Sequence, residues 1–310
     1  MAFYAFTSAD SGAPTLNGVN GSWINVLDWI VVTKGGGTKV YSGTNKAIYQ
    51  LAGGGMYLRI VHDSAVSSAA NLATVRSCEG ATGVDTYTDP CPTVAQRADT
   101  VSVWAASSTA NSTARTYRGV ITDNILIIVV QYASTEAAVL YIFGKGDPVI
   151  SSDPYCSLIV VGQSTNGGLF NAGNINDCKY FQRDITGTVK SSKAGFMNPQ
   201  SGYFAAGAYP AGLSNITAIH PYNSKIHHRA ATMACLGSAS ATSSTNQGSS
   251  AMVPRCYIPQ LRDIMVGTST FANGDVLADS SYDAGAAFVV ATNSNASSIL
   301  IETTDTWKRG

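Results

Sequence analysis

The chain has 310 residues, 45% of them hydrophobic, 9% aromatic and only 12% charged, against roughly 25% charged in typical soluble domains. The 19 basic and 19 acidic side chains cancel, and no basic block could follow a phosphate backbone, so nucleic-acid binding is disfavoured. The remaining exterior of Ser, Thr, Asn, Gly and Ala repels neighbours weakly, which promotes association and gives a first hint of a structural role.

The opening Met1-Ala2-Phe3-Tyr4-Ala5-Phe6 lacks a basic n-region, and a polar, turn-rich stretch follows it, so no signal peptide is expected. Phe3 to Phe6 reads as a strand; Asp10-Ser11-Gly12-Ala13-Pro14 and Asn17-Gly18-Val19-Asn20-Gly21 read as turns. Trp23, Val26, Leu27, Ile30 and Val31 then recur at helical spacing and predict a helix near 22–33, capped by Asn20 or Ser22 and ended by Gly35-Gly36-Gly37. Trp23 and Trp29 fall on different sides of that helix, which predicts packing on more than one neighbour. From Lys39 onward, short Val-, Ile-, Tyr- and Thr-rich runs separated by turn residues predict strands at 47–51, 56–61, 73–78, 100–105, 116–121, 125–132, 139–143 and 158–161. Thr122-Asp123-Asn124 has hairpin length between two of them, and the unbroken apolar run 125–130 predicts a strand buried on both faces. That run is far short of the roughly 20 residues of a membrane-spanning helix, so no membrane insertion is expected.

The stretch 165–248 reads as irregular and ends in a long Ser/Thr-rich loop, after which strands are expected at 251–259, 263–266, 286–291 and 298–302. The fold class is therefore mainly β, a β-sandwich or barrel-like arrangement with one short N-terminal helix and long irregular loops. A soft boundary near 164 separates an N-terminal β-rich region, 1–164, from a C-terminal β region, 165–310; the two need not fold separately.

Chemistry-bearing clusters have bland readings that outweigh functional ones. The six cysteines form no C-x-x-C pair, and reduced, buried thiols are expected, with Cys78–Cys91 the best single disulfide candidate. His62-Asp63-Ser64 holds the letters of a hydrolase triad, but triads are recognised by geometry, not adjacency. His220, His227 and His228 lack metal-ligand spacing, so no metal is expected. Gly35-Gly36-Gly37 and Gly53-Gly54-Gly55 lack the Lys-Ser/Thr of a phosphate loop and read as a helix stop and a hairpin turn. Glu79, Glu136 and Glu302 are the only glutamates, no carboxylate pair suggests a glycosidase, and the Asp-Pro pairs at 89, 147 and 153 read as turn formers. No catalytic residue and no cofactor is expected. Tyr203 and Tyr209, amid Ser, Gly and Asn, are candidates for binding glycan.

Four segments carry a resemblance. Thr7-Ser8-Ala9-Asp10-Ser11-Gly12-Ala13-Pro14-Thr15-Leu16-Asn17-Gly18, Gly21-Ser22-Trp23-Ile24-Asn25-Val26-Leu27-Asp28, Tyr41-Ser42-Gly43-Thr44-Asn45-Lys46-Ala47-Ile48-Tyr49 and the closing Leu300-Ile301-Glu302-Thr303-Thr304-Asp305-Thr306-Trp307 resemble a family of largely uncharacterised virion structural proteins of tailed bacteriophages. The resemblance implies a non-enzymatic part of a phage particle, assembled in the host cytoplasm. The expected role is a tail, neck or fibre-base subunit, with a capsid decoration protein and a host-glycan binding module as alternatives. Expected partners are other virion proteins, copies of the chain itself and a host surface glycan. Phe3, Tyr4, Phe6, Trp23 and Trp29 are the candidates for a subunit interface, because aromatic side chains favour interface cores.

Overall fold

The computed structural model describes residues 3–67, 69–95, 99, 102–131, 138–149, 151–153 and 157–161, and beyond them the strands named below with residues 274–275 and 303–305. The fold is mainly β, as expected, and its strands are arranged in several antiparallel sheets. The first sheet has five strands in the order Thr38–Gly43, Lys46–Gln50, Tyr57–Val61, Leu72–Cys78 and Val103–Ala105, each antiparallel to the next. The second has seven, in the order Phe3–Thr7, Thr116–Thr122, Ile125–Gln131, Ala138–Lys145, Ser157–Val161, Lys179–Arg183 and Val189–Lys193. Val161 pairs with Lys179, so this sheet continues through the expected boundary near 164.

The third sheet runs Tyr203–Phe204, Met197–Asn198, His228–Ala234, Pro254–Ile264, Ser298–Glu302, Ala286–Thr292 and Val276–Asp279, with Asp147–Pro148 added on Pro254–Ile264. Two expectations are corrected here. The stretch read as irregular contributes strands to both the second and third sheets, and 251–266 holds one long strand, Pro254–Ile264, where two were expected. The long strand bulges against its neighbour, where Ala230 pairs with Arg262 but the next residue, Ala231, pairs with Ile258.

Helix α1, Ser22–Leu27, continues without a break into a wider π-type turn, Asp28–Lys34, closed by a hydrogen bond from the Gly35 N–H to the Ile30 carbonyl at 2.8 Å. Its Trp23, Val26, Leu27 and Ile30 share one hydrophobic cluster with Tyr49, Leu58 and Ile60 of the first sheet and Ile121, Ile128 and Phe143 of the second. Trp23 lies 5.5 Å from Trp104 and 6.0 Å from Tyr141 between ring centroids, and its Nε1 donates to the Trp104 carbonyl at 3.1 Å. Trp29, on the other side, meets Tyr4 and Phe6 edge-on, each at 6.4 Å. The helix therefore fills the space between two sheets, which is why it needs two aromatic faces.

The run Ile125–Val130 is buried throughout, as its unbroken apolarity predicts: Leu126, Ile128 and Val130 face this cluster, and Ile125, Ile127 and Val129 point away from it. Strand Ser298–Glu302 of the third sheet, with Leu300 and Ile301 buried, lies against Thr116–Thr122 of the second.

The first sheet's other face is polar and covered by the chain between its fourth and fifth strands. Arg59 and Arg76 stand opposite each other across two strands. Arg76, with no exposed surface, donates to Asp99 Oδ1 from Nε at 2.9 Å and Nη2 at 2.6 Å, and from Nη1 to the Pro92 carbonyl at 2.5 Å. Arg59 lies over the Tyr87 ring at 4.9 Å and reaches Asp85 at 3.4 Å, and Lys46 pairs with the same carboxylate. Those two cations, the Lys46 hydrogen bond above all, hold the Asp85 carboxyl below its usual range.

Cys78, Cys91 and Cys256 are buried and form no disulfide. The expected Cys78–Cys91 bridge is absent for a geometric reason. Cys91 is bridged to Ser77 and belongs to the core face, whereas Cys78, one residue on, points to the opposite face, where it donates weakly to the Tyr57 carbonyl at 3.7 Å. Burial pushes the Cys78 thiol up to about 12, partly offset by Arg59, so it stays protonated.

Candidate functional site

Two turns and a crossover between strands, from distant parts of the sequence, meet at one end of the first two sheets. Gly53-Gly54-Gly55 is the hairpin turn expected between Lys46–Gln50 and Tyr57–Val61. Gly54 and Gly55 have φ of 73° and 86°, a left-handed backbone that glycine adopts without strain. The Gly53 N–H donates to the Asp123 carbonyl at 2.7 Å, which docks this turn on the Asp123-Asn124 turn of the second sheet. A Cβ on Gly53 would stand 2.7 Å from that carbonyl, so the docking requires the missing side chain. The third segment is Gly144 to Pro148, where the chain leaves the second sheet for the third. Its Lys145 N–H donates to the Asn124 carbonyl at 2.7 Å, and a Cβ on Gly146 would lie 2.5 Å from Cys256 Sγ.

The close approach of these backbones leaves a cleft of about 320 Å³. Leu51, Met56 and Phe143, all buried, give it an apolar side; Asn124, Glu79, Lys145 and Asp147 give it a polar one. Tyr257, 41% exposed, is the register partner of Asp147, so the two side chains leave the third sheet on the same face. The volume is at the lower end for ligand pockets, and the lining offers hydrogen-bonding groups of both signs beside apolar surface. Among the described residues no group of three or more His, Cys, Asp or Glu could hold a metal ion.

The residues singled out from sequence fall elsewhere. Phe6 and Trp23 are 2% and 0% exposed and Trp29 is 7% exposed, each covered by this chain's own core. Packed into the chain's own core, these three leave little side-chain surface for the subunit interface expected of them. Phe3 and Tyr4 remain partly exposed on the edge strand of the second sheet, Tyr4 with Lys34 Nζ 5.0 Å above its ring. Tyr203 lies in the short strand Tyr203–Phe204, but its side chain, Tyr209, His220 and His227 lie outside the described residues.

His62 does scaffold work. Its Nδ1 accepts the Trp23 N–H at 3.1 Å, capping α1 from 39 residues away, while the helix N-cap is Gly21 at φ 82° with no side-chain cap. Neither Asn20 nor Ser22 caps the helix as expected; the Ser22 hydroxyl donates backward to the Asn17 carbonyl at 2.7 Å. Burial lowers the His62 pKa to about 4, against small opposing contributions from the Ala70 carbonyl and Asp63, so the ring is neutral at pH 7. Ser64 accepts from Asn20 Nδ2 at 3.4 Å and Asp63 Oδ1 accepts the Ala65 N–H at 3.0 Å. The three adjacent residues therefore diverge into three separate structural contacts.

Comparison of the sequence with protein-family models gives no match, and comparison with curated proteins gives none either. The cleft was missed from sequence because its lining comes from four separate segments; the one visible signal was the density of glycine at Gly53-Gly54-Gly55, Gly144 and Gly146.

Proposed function

We propose that the chain is a non-enzymatic structural subunit of a tailed-bacteriophage virion, placed at the tail, neck or fibre base and assembled in the host cytoplasm with copies of itself and other virion proteins. One observation carries the reading: the residues that resemble the virion family act here as fold determinants. Asp10 accepts from the Thr7 N–H at 3.0 Å and folds back the first strand. Asp28 accepts the Tyr49 hydroxyl at 2.7 Å and Lys39 Nζ at 2.7 Å, tying the helix to the first sheet. The Asn45 carbonyl accepts the His62 N–H at 2.8 Å, beside the histidine that caps α1. A signature made of turns, caps and core aromatics belongs to a family that shares an architecture, and a low-charge exterior suits a surface covered by neighbours.

The test is quantitative mass spectrometry of purified particles of the phage that encodes the chain, with the major capsid protein as internal standard. The expected result is a copy number that is a low multiple of the tail's rotational symmetry. Absence from the particle overturns the reading, and a copy number close to that of the capsid protein replaces the tail placement with shell decoration.

A further inference from the structure

We infer that the cleft between these three segments is a binding site for a neutral saccharide. The inference does not depend on the virion reading and assigns glycan recognition to a place other than Tyr203 and Tyr209. Three features of the cleft select this class of ligand. Its polar side mixes a cation, Lys145, with two carboxylates, Glu79 and Asp147, and an amide, Asn124. A phosphate or sulfate would meet two like charges there, and a cationic ligand would meet Lys145. A hydroxyl-rich neutral molecule can donate to the carboxylates and accept from lysine and amide without bringing a like charge to either, and each carboxylate has lone pairs for several donors.

The apolar side and the rim supply the second feature. Sugar rings present C–H faces; the lining includes the Pro148 ring and the edges of Leu51 and Met56, and the exposed Tyr257, outside the lining itself, leaves the third sheet on the same face as Asp147. The third feature is the backbone. Cβ atoms built on Gly54 and Gly55 would meet nothing within 4 Å, so the main chain of this turn is open to direct approach by a ligand. The Gly55 carbonyl is oriented by Gln50 Nε2 at 3.1 Å. The geometry thus puts fixed main-chain groups and mixed-sign side chains around one cleft of about 320 Å³, with Tyr257 the register neighbour of its Asp147.

The test uses the full-length chain and saturation-transfer NMR with glucose, galactose, N-acetylglucosamine and their β-linked disaccharides as probes, and inorganic phosphate as a separate arm. Transfer from protein to at least one sugar is expected, with affinity weakened roughly tenfold by Tyr257→Ala and by Asp147→Asn. Tyr257 is exposed, so its substitution should leave the melting temperature unchanged and isolate the binding effect. Absence of transfer to every sugar overturns the inference. So does equal transfer from wild type and both variants, or a response of the cleft to phosphate alone. Failure here leaves the particle copy number untouched, and a chain absent from particles can still bind sugar, so the two readings fail separately.

Discussion

Burying a neutral imidazole as a helix cap ties the stability of the fold to pH. The folded pKa of His62 lies at about 4, below the ordinary 6.5, so the unfolded chain takes up the proton first. The contribution is fully present above pH 6.5 and is lost progressively as the pH falls toward 4; over that window the shift corresponds to roughly 3 kcal/mol. His62→Asn, whose Oδ1 can accept the Trp23 N–H in place of Nδ1, should flatten the pH dependence of denaturant-midpoint measurements over this range. An unchanged slope would assign the pH dependence to another group. Gly119 makes a different prediction. It sits mid-strand between two partners, and a Cβ there would meet the Ile127 carbonyl carbon at 2.9 Å and Phe6 Cζ at 2.9 Å. Gly119→Ala should therefore cost about 3 kcal/mol, read as a lowered melting temperature, because backbone in a central strand has nowhere to move.

At the scale of elements, two arginine pairs fasten Asp85 and Asp99 over the first sheet, and they differ in burial. Arg76 is wholly covered, whereas the Asp99 side chain keeps 36% of its exposure. Asp99→Ala would take from a buried guanidinium the carboxylate that receives two of its N–H groups, with a cost of about 2 kcal/mol after allowing for solvent at the carboxylate. Arg76→Met combined with Asp99→Ala should be less destabilising than Asp99→Ala alone in thermal denaturation; the reverse order would show that the pair itself, not the stranded charge, carries the energy. These pairs also mark where the sequence was silent. Strands such as Ile125–Gln131 and Tyr57–Val61 announce themselves by apolar runs between turn residues. The hairpin Gly80–Gly83 and Thr86–Thr88 carries no such run, because Lys46 and Arg59 hold it through Asp85 in place of apolar burial. The helix was legible, but its cap was not: a histidine 39 residues away replaces the local Asn or Ser that the pattern suggests. Cleft and cap share one cause, contacts between residues remote in sequence that leave no local period to read.

At the scale of the molecule, the aromatic N-terminus joins fold and assembly, and the two can be separated. Aromatic residues at Phe3, Tyr4, Phe6, Trp23 and Trp29 promised buried area, but composition does not say whether the chain or a neighbour buries it; the structure gives Phe6, Trp23 and Trp29 to the chain. Strand Phe3–Thr7 closes one edge of the second sheet in register with Thr116–Thr122, and the Ser8 N–H donates to the Tyr117 carbonyl at 2.8 Å. In that alternation Ala5 and Thr7 turn their N–H and C=O groups outward. Asp10 takes both groups of Thr7, its carboxylate accepting the N–H at 3.0 Å and its own N–H donating to the carbonyl at 3.1 Å, which seals that end of the edge. Deleting residues 1–7 would strip Phe6 from Trp29 and Tyr117, so it should cost at least about 4 kcal/mol and shift tryptophan emission to the red, whatever the chain assembles with. Ala5→Pro removes only an outward N–H, which an edge strand tolerates. The proposed structural role therefore predicts that Ala5→Pro keeps a near-native melting temperature while lowering incorporation into particles or the oligomer seen by sedimentation. Normal incorporation of Ala5→Pro would remove this edge from the assembly contacts and turn the search toward the outer edges of the other two sheets.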